Sequence, residues 1–138
     1  MDFTLSEAQQ ALRDLKADLG VMAYVLLFAP QDFVTIPKKG TIQYHPSLLP
    51  RHRGPSSINW PIIQGATETG LTIFRPTDGL DEGPVILQKE CAIGPDDTVG
   101  SVYFETERGR KGWQEIRELA KRLLSLRDGF QPSSLPGY

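Results

Sequence analysis

The chain has 138 residues, 39% apolar and 23% charged, with a formal net charge of −2, which suits one domain (1–138) able to bury a core. The slightly acidic balance excludes a global attraction to nucleic acid or anionic membranes. Any RNA contact would need a local basic patch, for which Arg51, Arg53, Arg108, Arg110 and Lys111 are the candidates. The single cysteine, Cys91, cannot form an internal disulfide. With no basic-then-apolar leader pattern and no apolar run of membrane-spanning length, the expected location is the cytoplasm and no membrane partner is expected.

In chain order, Thr4-Leu5-Ser6-Glu7 reads as a capping box opening a helix. Leu5, Ala8, Leu12, Leu15 and Leu19 recur at spacings of three and four, one apolar stripe, and Gly20 is a stop. The continuously apolar run 21–28 then predicts a strand covered on both faces, as in a parallel sheet. Residues 31–40 predict a short helical turn and loop, and Thr41-Ile42-Gln43-Tyr44 a second short strand.

Ser56 or Ser57 is placed to cap a helix carrying Ile58, Trp60, Ile62 and Ile63, in which Pro61 fits only in the first turn. Residues 70–74 and 85–89 predict a close strand pair around a turn-rich acidic loop. Asp97 or Thr98 caps a further helix from Val99, which Gly109 and Gly112 are expected to interrupt. A last amphipathic segment runs from Trp113 to Leu124, with Glu118 and Arg122 spaced for an ion pair. The Pro/Ser/Gly-rich tail 131–138 is expected to be loose.

Both histidines of the chain fall within His45-Pro46-Ser47-Leu48-Leu49-Pro50-Arg51-His52-Arg53-Gly54, flanked by arginines and pinned by prolines. That loop follows a strand, and ligands of open α/β sheets bind beyond the carboxyl ends of strands. On its own, a histidine after a strand is more often a structural residue than a catalytic one.

This run, followed by Asn59-Trp60, Gly70-Leu71-Thr72-Ile73 and Asp78-Gly79-Leu80-Asp81-Glu82-Gly83-Pro84, resembles the 10-formyltetrahydrofolate-dependent formyltransferase family over about residues 17–104. Tyr44 and Arg51-His52-Arg53 look most like the hydrolase domain of formyltetrahydrofolate dehydrogenase. The resemblance implies an α/β, mostly parallel Rossmann-like sheet with flanking helices, truncated to about four strands. The family's N-terminal βα units, which bear the acceptor loop, are expected to be missing. The resemblance also implies 10-formyltetrahydrofolate as formyl donor and no metal.

By the same resemblance His45 and Asp81 match the catalytic pair. Ser47, Leu48, Leu49 and Pro50 match a folate-contacting loop. Val25, Leu26, Leu27, Phe28 and Ala29 match the strand end and loop beside the pterin, and Pro76, Thr77, Asp78, Gly79 and Leu80 the loop closing over it. Formyl transfer builds an oxyanion, which needs a donor beside it and a group that handles protons. The family's asparagine two residues before the histidine is replaced here by Gln43, which keeps an amide donor on a longer stem and is counted with the catalytic residues.

Three functions follow as expectations. The first is formyl transfer or hydrolysis with His45 and Asp81. The second is methionyl-tRNA formyltransferase, against which the acidic balance argues, so that nucleic acid is not an expected partner. The third is an inactive, truncated fragment that forms a homodimer through the exposed edge of the strand at 21–28. Beyond Phe104 the resemblance stops, and residues 109–112 are expected to break the helix there.

Overall fold

In the computed structural model, residues 2–23, 25–105 and 108–126 are described, with 104, 105 and 108–113 described as backbone. One sheet holds four strands in the order β1 (Gly20–Met22), β2 (Thr41–His45), β3 (Glu68–Phe74) and β4 (Val85–Ala92). The helices are α1 (Ser6–Asp14), α2 (Gln31–Val34), α3 (Asn59–Ile63) and α4 (Arg108–Ser125), and a π-helical turn spans Ser101–Glu105.

The expected α/β sheet of about four strands is present, and its pairing is mixed rather than mostly parallel. Only β1 and β2 run parallel, while β2–β3 and β3–β4 are antiparallel. The link 75–84 is too short for a crossover helix, so β4 must return antiparallel along β3.

Period-two alternation in the strands meets a three-and-four spacing in α4. Ile42 and Tyr44 of β2, Leu71 and Ile73 of β3 and Ile86 of β4 pack against Ile116, Leu119 and Leu123 of α4. Burying each such side chain contributes roughly 1.5–3 kcal/mol. Lys39 anchors the far end of α4, its Nζ donating to the carbonyls of Leu123 at 3.0 Å, Leu124 at 3.2 Å and Leu126. These are carbonyls that a helix end leaves without intrahelical partners, and a cation is favoured beside them. A smaller cluster of Met22, Ala29 and Val34, with Phe3, Val25 and Phe33 against it, lies at the β1 end of the sheet.

Several local expectations change. The capping box does not form: the Thr4 backbone N–H and hydroxyl both donate to Asp2 Oδ1, and Leu5 stands at the N-cap without a side-chain bond. A short Asx-type bond has outcompeted the helix cap. α1 ends at Asp14 because Lys16 turns left-handed with φ +49°, and Gly20 begins β1 instead of stopping a helix. The α1 stripe does not bury, since Leu5 and Leu15 are both exposed.

The apolar run keeps strand geometry only through Met22. Val25, Leu26, Leu27 and Phe28 line a cavity wall, so continuous apolarity there did not signal burial in a sheet. Pro61 is the third residue of α3, inside the first turn, but neither serine caps that helix and Ile58 is its N-cap. Thr98 does cap its turn, its Oγ1 accepting from the Ser101 N–H at 3.1 Å. α4 runs through Gly109 and Gly112 without a break, and Glu118 pairs with Lys121 at 2.8 Å rather than with Arg122. The tail 131–138 lies outside the described residues.

Candidate active site

The alternation that sends Ile42 and Tyr44 of β2 toward α4 sends Gln43 and His45 to the opposite face, where both line a cavity of about 420 Å³. His45 is 6% exposed. Its Nε2 lies 2.8 Å from the His52 backbone carbonyl. A carbonyl only accepts, so this contact assigns the hydrogen to Nε2. The other nitrogen, Nδ1, lies 3.5 Å from Asp81 Oδ2. Each ring nitrogen thus faces an acceptor, and a ring that takes up a second proton can direct both N–H groups.

Asp81 reaches this position from the loop between β3 and β4. Arg75 N–H donates to the Pro84 carbonyl at 3.0 Å, and the Thr77 N–H to the Glu82 carbonyl at 2.9 Å, which closes the loop on itself. Gly83 has φ +144° and a Cβ there would collide with the Arg75 carbonyl, so the turn requires glycine. Asp81 itself has φ +45°, a left-handed conformation that aspartate tolerates better than most residues. Its Oδ2 accepts from the Gly54 N–H at 2.7 Å and its Oδ1 from Gln43 Nε2 at 3.1 Å. The carboxylate is therefore gripped from the loop after β2 and from β2 itself.

A buried polar network carries the chain past His45. The Thr72 hydroxyl donates to the Ser47 carbonyl at 2.7 Å and accepts from the Leu49 N–H at 3.1 Å. Gln88 Nε2 donates to the Leu49 carbonyl at 2.7 Å and to Thr72 Oγ1 at 3.0 Å, and the Ser47 hydroxyl to the Arg51 carbonyl at 2.7 Å. Ser47 and Thr72 are both fully buried. Gly70 leaves room for Leu48 to lie on the sheet, since a Cβ there would strike the Leu48 side chain.

The cavity wall includes Val25, Leu26, Leu27, Phe28, Ala29, Pro76, Thr77, Gly79, Leu80 and Asp81, together with Gln43 and His45. Ser47, Leu48 and Asp78 are not in it. Leu49 and Pro50, joined by a cis peptide, border a second cavity of about 440 Å³ that also touches Asp81. Not singled out from the sequence as site residues are Met22, Tyr44, Pro46, residues 54–59 and Tyr103, which also line the first cavity. Residues 54–59 directly continue the histidine motif, a signal that was available, whereas nothing local marks Tyr103. His52 contributes its carbonyl rather than its ring. Leu26 is 89% exposed and Leu80 63%, so the cavity mouth is apolar and open.

Among the described residues no group of His, Cys, Asp and Glu could hold a metal ion, and no helix is long and apolar enough to cross a membrane. Residues 3–113 match the family described as Formyl transferase. The chain belongs to that formyltransferase family. The family match extends past Phe104, further than the motifs alone reach.

Mitochondrial 10-formyltetrahydrofolate dehydrogenase of Homo sapiens is 46% identical over 118 residues, covering 84% of this chain and 13% of the relative. Methionyl-tRNA formyltransferase of Idiomarina loihiensis is 40% identical over 130 residues, covering 94% and 39%. Phosphoribosylglycinamide formyltransferase from Bacillus halodurans superposes with a TM-score of 0.79 at 27% identity, over 91% of this formyltransferase-family chain and 64% of that one. The chain thus spans less than two thirds of each of these proteins.

Proposed function

We propose that this chain binds 10-formyltetrahydrofolate in the 420 Å³ cavity and removes its formyl group, to water or to an amine, using His45 and Asp81. The observation that carries the reading is the pairing of Asp81 Oδ2 with His45 Nδ1 at 3.5 Å in the wall of a mostly apolar cavity. The donor fits on chemical grounds. Leu26, Leu27, Phe28 and Leu80 offer apolar surface to a flat ring, Gln43 and His45 both meet the Asp81 carboxylate in the wall, and the volume falls in the range of about 300–1,000 Å³ usual for such ligands.

The donor supplies a formyl carbon bound to nitrogen. In hydrolysis the oxygen of water bonds to that carbon, the carbon–nitrogen bond breaks, the nitrogen takes up one proton and the other is released to solvent, giving formate and tetrahydrofolate. Asp81 Oδ2 is placed to orient His45, and the ring holds or delivers the proton at Nδ1 while Nε2 stays bonded to the His52 carbonyl. Catalytic hydrogen bonds often tighten only once substrate is bound, so 3.5 Å is compatible with this role. Gln43 in place of the family's asparagine, together with the dehydrogenase resemblance, favours water over an amine. A free thiol at Cys91 favours a reducing compartment, and the cytoplasm is the proposed location.

The direct test is calorimetric titration with a stable 10-formyltetrahydrofolate analogue. Saturable 1:1 binding is expected, and absence of heat would contradict the reading. A second reading rests on β1, which has a strand partner on one side only among the described residues and leaves Val21 exposed. An inactive fragment would pair through that edge into a homodimer. It would show a concentration-dependent dimer with no thermal shift on adding the analogue.

A further inference from the structure

The amide of Gln43 is already committed. Its Nε2 donates to Asp81 Oδ1 at 3.1 Å, while the other carboxylate oxygen receives the Gly54 N–H at 2.7 Å and faces His45 Nδ1 at 3.5 Å. Gln43 and His45 lie two apart on β2, so their side chains leave the same face of the strand and meet the same carboxylate from neighbouring positions. Asp81 stands on a loop in a left-handed conformation with φ +45°. A loop carboxylate in that state needs fixing from outside, and the Gly54 bond fixes only one of its two oxygens.

We infer that Gln43 is a positioning residue for Asp81, setting the rotation of its carboxylate so that Oδ2 is presented to His45. The inference rests on the proposed function. It gives Gln43 a different job from binding the formyl oxygen, the role its position alone suggests. The length of the side chain is then the point. An asparagine at 43 is one methylene shorter and, from the same strand backbone, falls short of Oδ1, so the family's own residue would not substitute.

The test compares steady-state turnover of 10-formyltetrahydrofolate by the full chain and by its Gln43→Leu and Gln43→Asn variants. Both variants should lose about 10- to 100-fold in kcat, as expected for a misplaced catalytic group, with KM and the analogue Kd changed less than about twofold. Gln43→Asn with wild-type kcat or better would overturn the inference, because that amide serves substrate without reaching Asp81. A large rise in KM at constant kcat would also overturn it, by making Gln43 a donor-binding residue. Turnover by the wild type with full kcat in Gln43→Leu overturns the inference alone. No turnover by the wild type overturns the proposed function and the inference together.

Discussion

The two faces of the sheet use the same strands for different ends. On the α4 face, Ile42, Tyr44, Leu71, Ile73 and Ile86 meet Ile116, Leu119 and Leu123, an apolar contact that tolerates small shifts because it has no directional bonds. On the other face, Gln43, His45 and Thr72 make directional bonds to loops: Gln43 to Asp81, His45 to the His52 carbonyl, and Thr72 to both Ser47 and Leu49. The first face holds the strands in place. The second uses their rigidity to aim loop groups, which a packed apolar face could not do.

The difference can be broken from either side. Leu123→Ala removes a fully buried side chain from the apolar face and should destabilise the fold by about 2–5 kcal/mol, the range for a buried leucine truncated in a core. Thermal or denaturant unfolding would measure it, and the protein that remains folded should keep wild-type turnover. Thr72→Val, nearly isosteric, strands the Ser47 carbonyl and the Leu49 N–H and should cost less, about 1–3 kcal/mol. Unlike Leu123→Ala, it should also lower kcat in the folded protein, because the chain leaving His45 loses its tie to the sheet. Equal kcat in both variants would erase the distinction between the faces.

This asymmetry also explains what was legible in the sequence. The strand run Thr41-Ile42-Gln43-Tyr44 and the amphipathic segment from Trp113 to Leu124 are local signals of the apolar face, and they mark its elements correctly. The run 21–28 misleads because an apolar cavity wall and a two-sided strand have the same composition, and among the described residues only Gly20–Met22 pair with β2. Gly109 and Gly112 lower helix propensity, yet the helical backbone of α4 runs across both, a case of tertiary packing prevailing over a weak local preference.

For the site, His45 could be singled out from its motif, but its meeting with Asp81 depends on a loop fold that no periodicity encodes. The resemblance supplied that pairing. Neither the motif nor the resemblance disclosed that residues 47–50 are held by Thr72 and Gln88 behind the cavity, or that Gln43 is spent on Asp81, because such bonds depend on three-dimensional register between β2, β3 and β4.

The central claim is that His45 performs the chemistry of formyl removal. It is tested most directly by measuring release of tetrahydrofolate from 10-formyltetrahydrofolate by the wild-type chain and by His45→Ala, both shown to bind the analogue. Saturable turnover by the wild type, falling about a thousandfold in the variant with analogue affinity retained, is the predicted result. Equal turnover by the two proteins would contradict it.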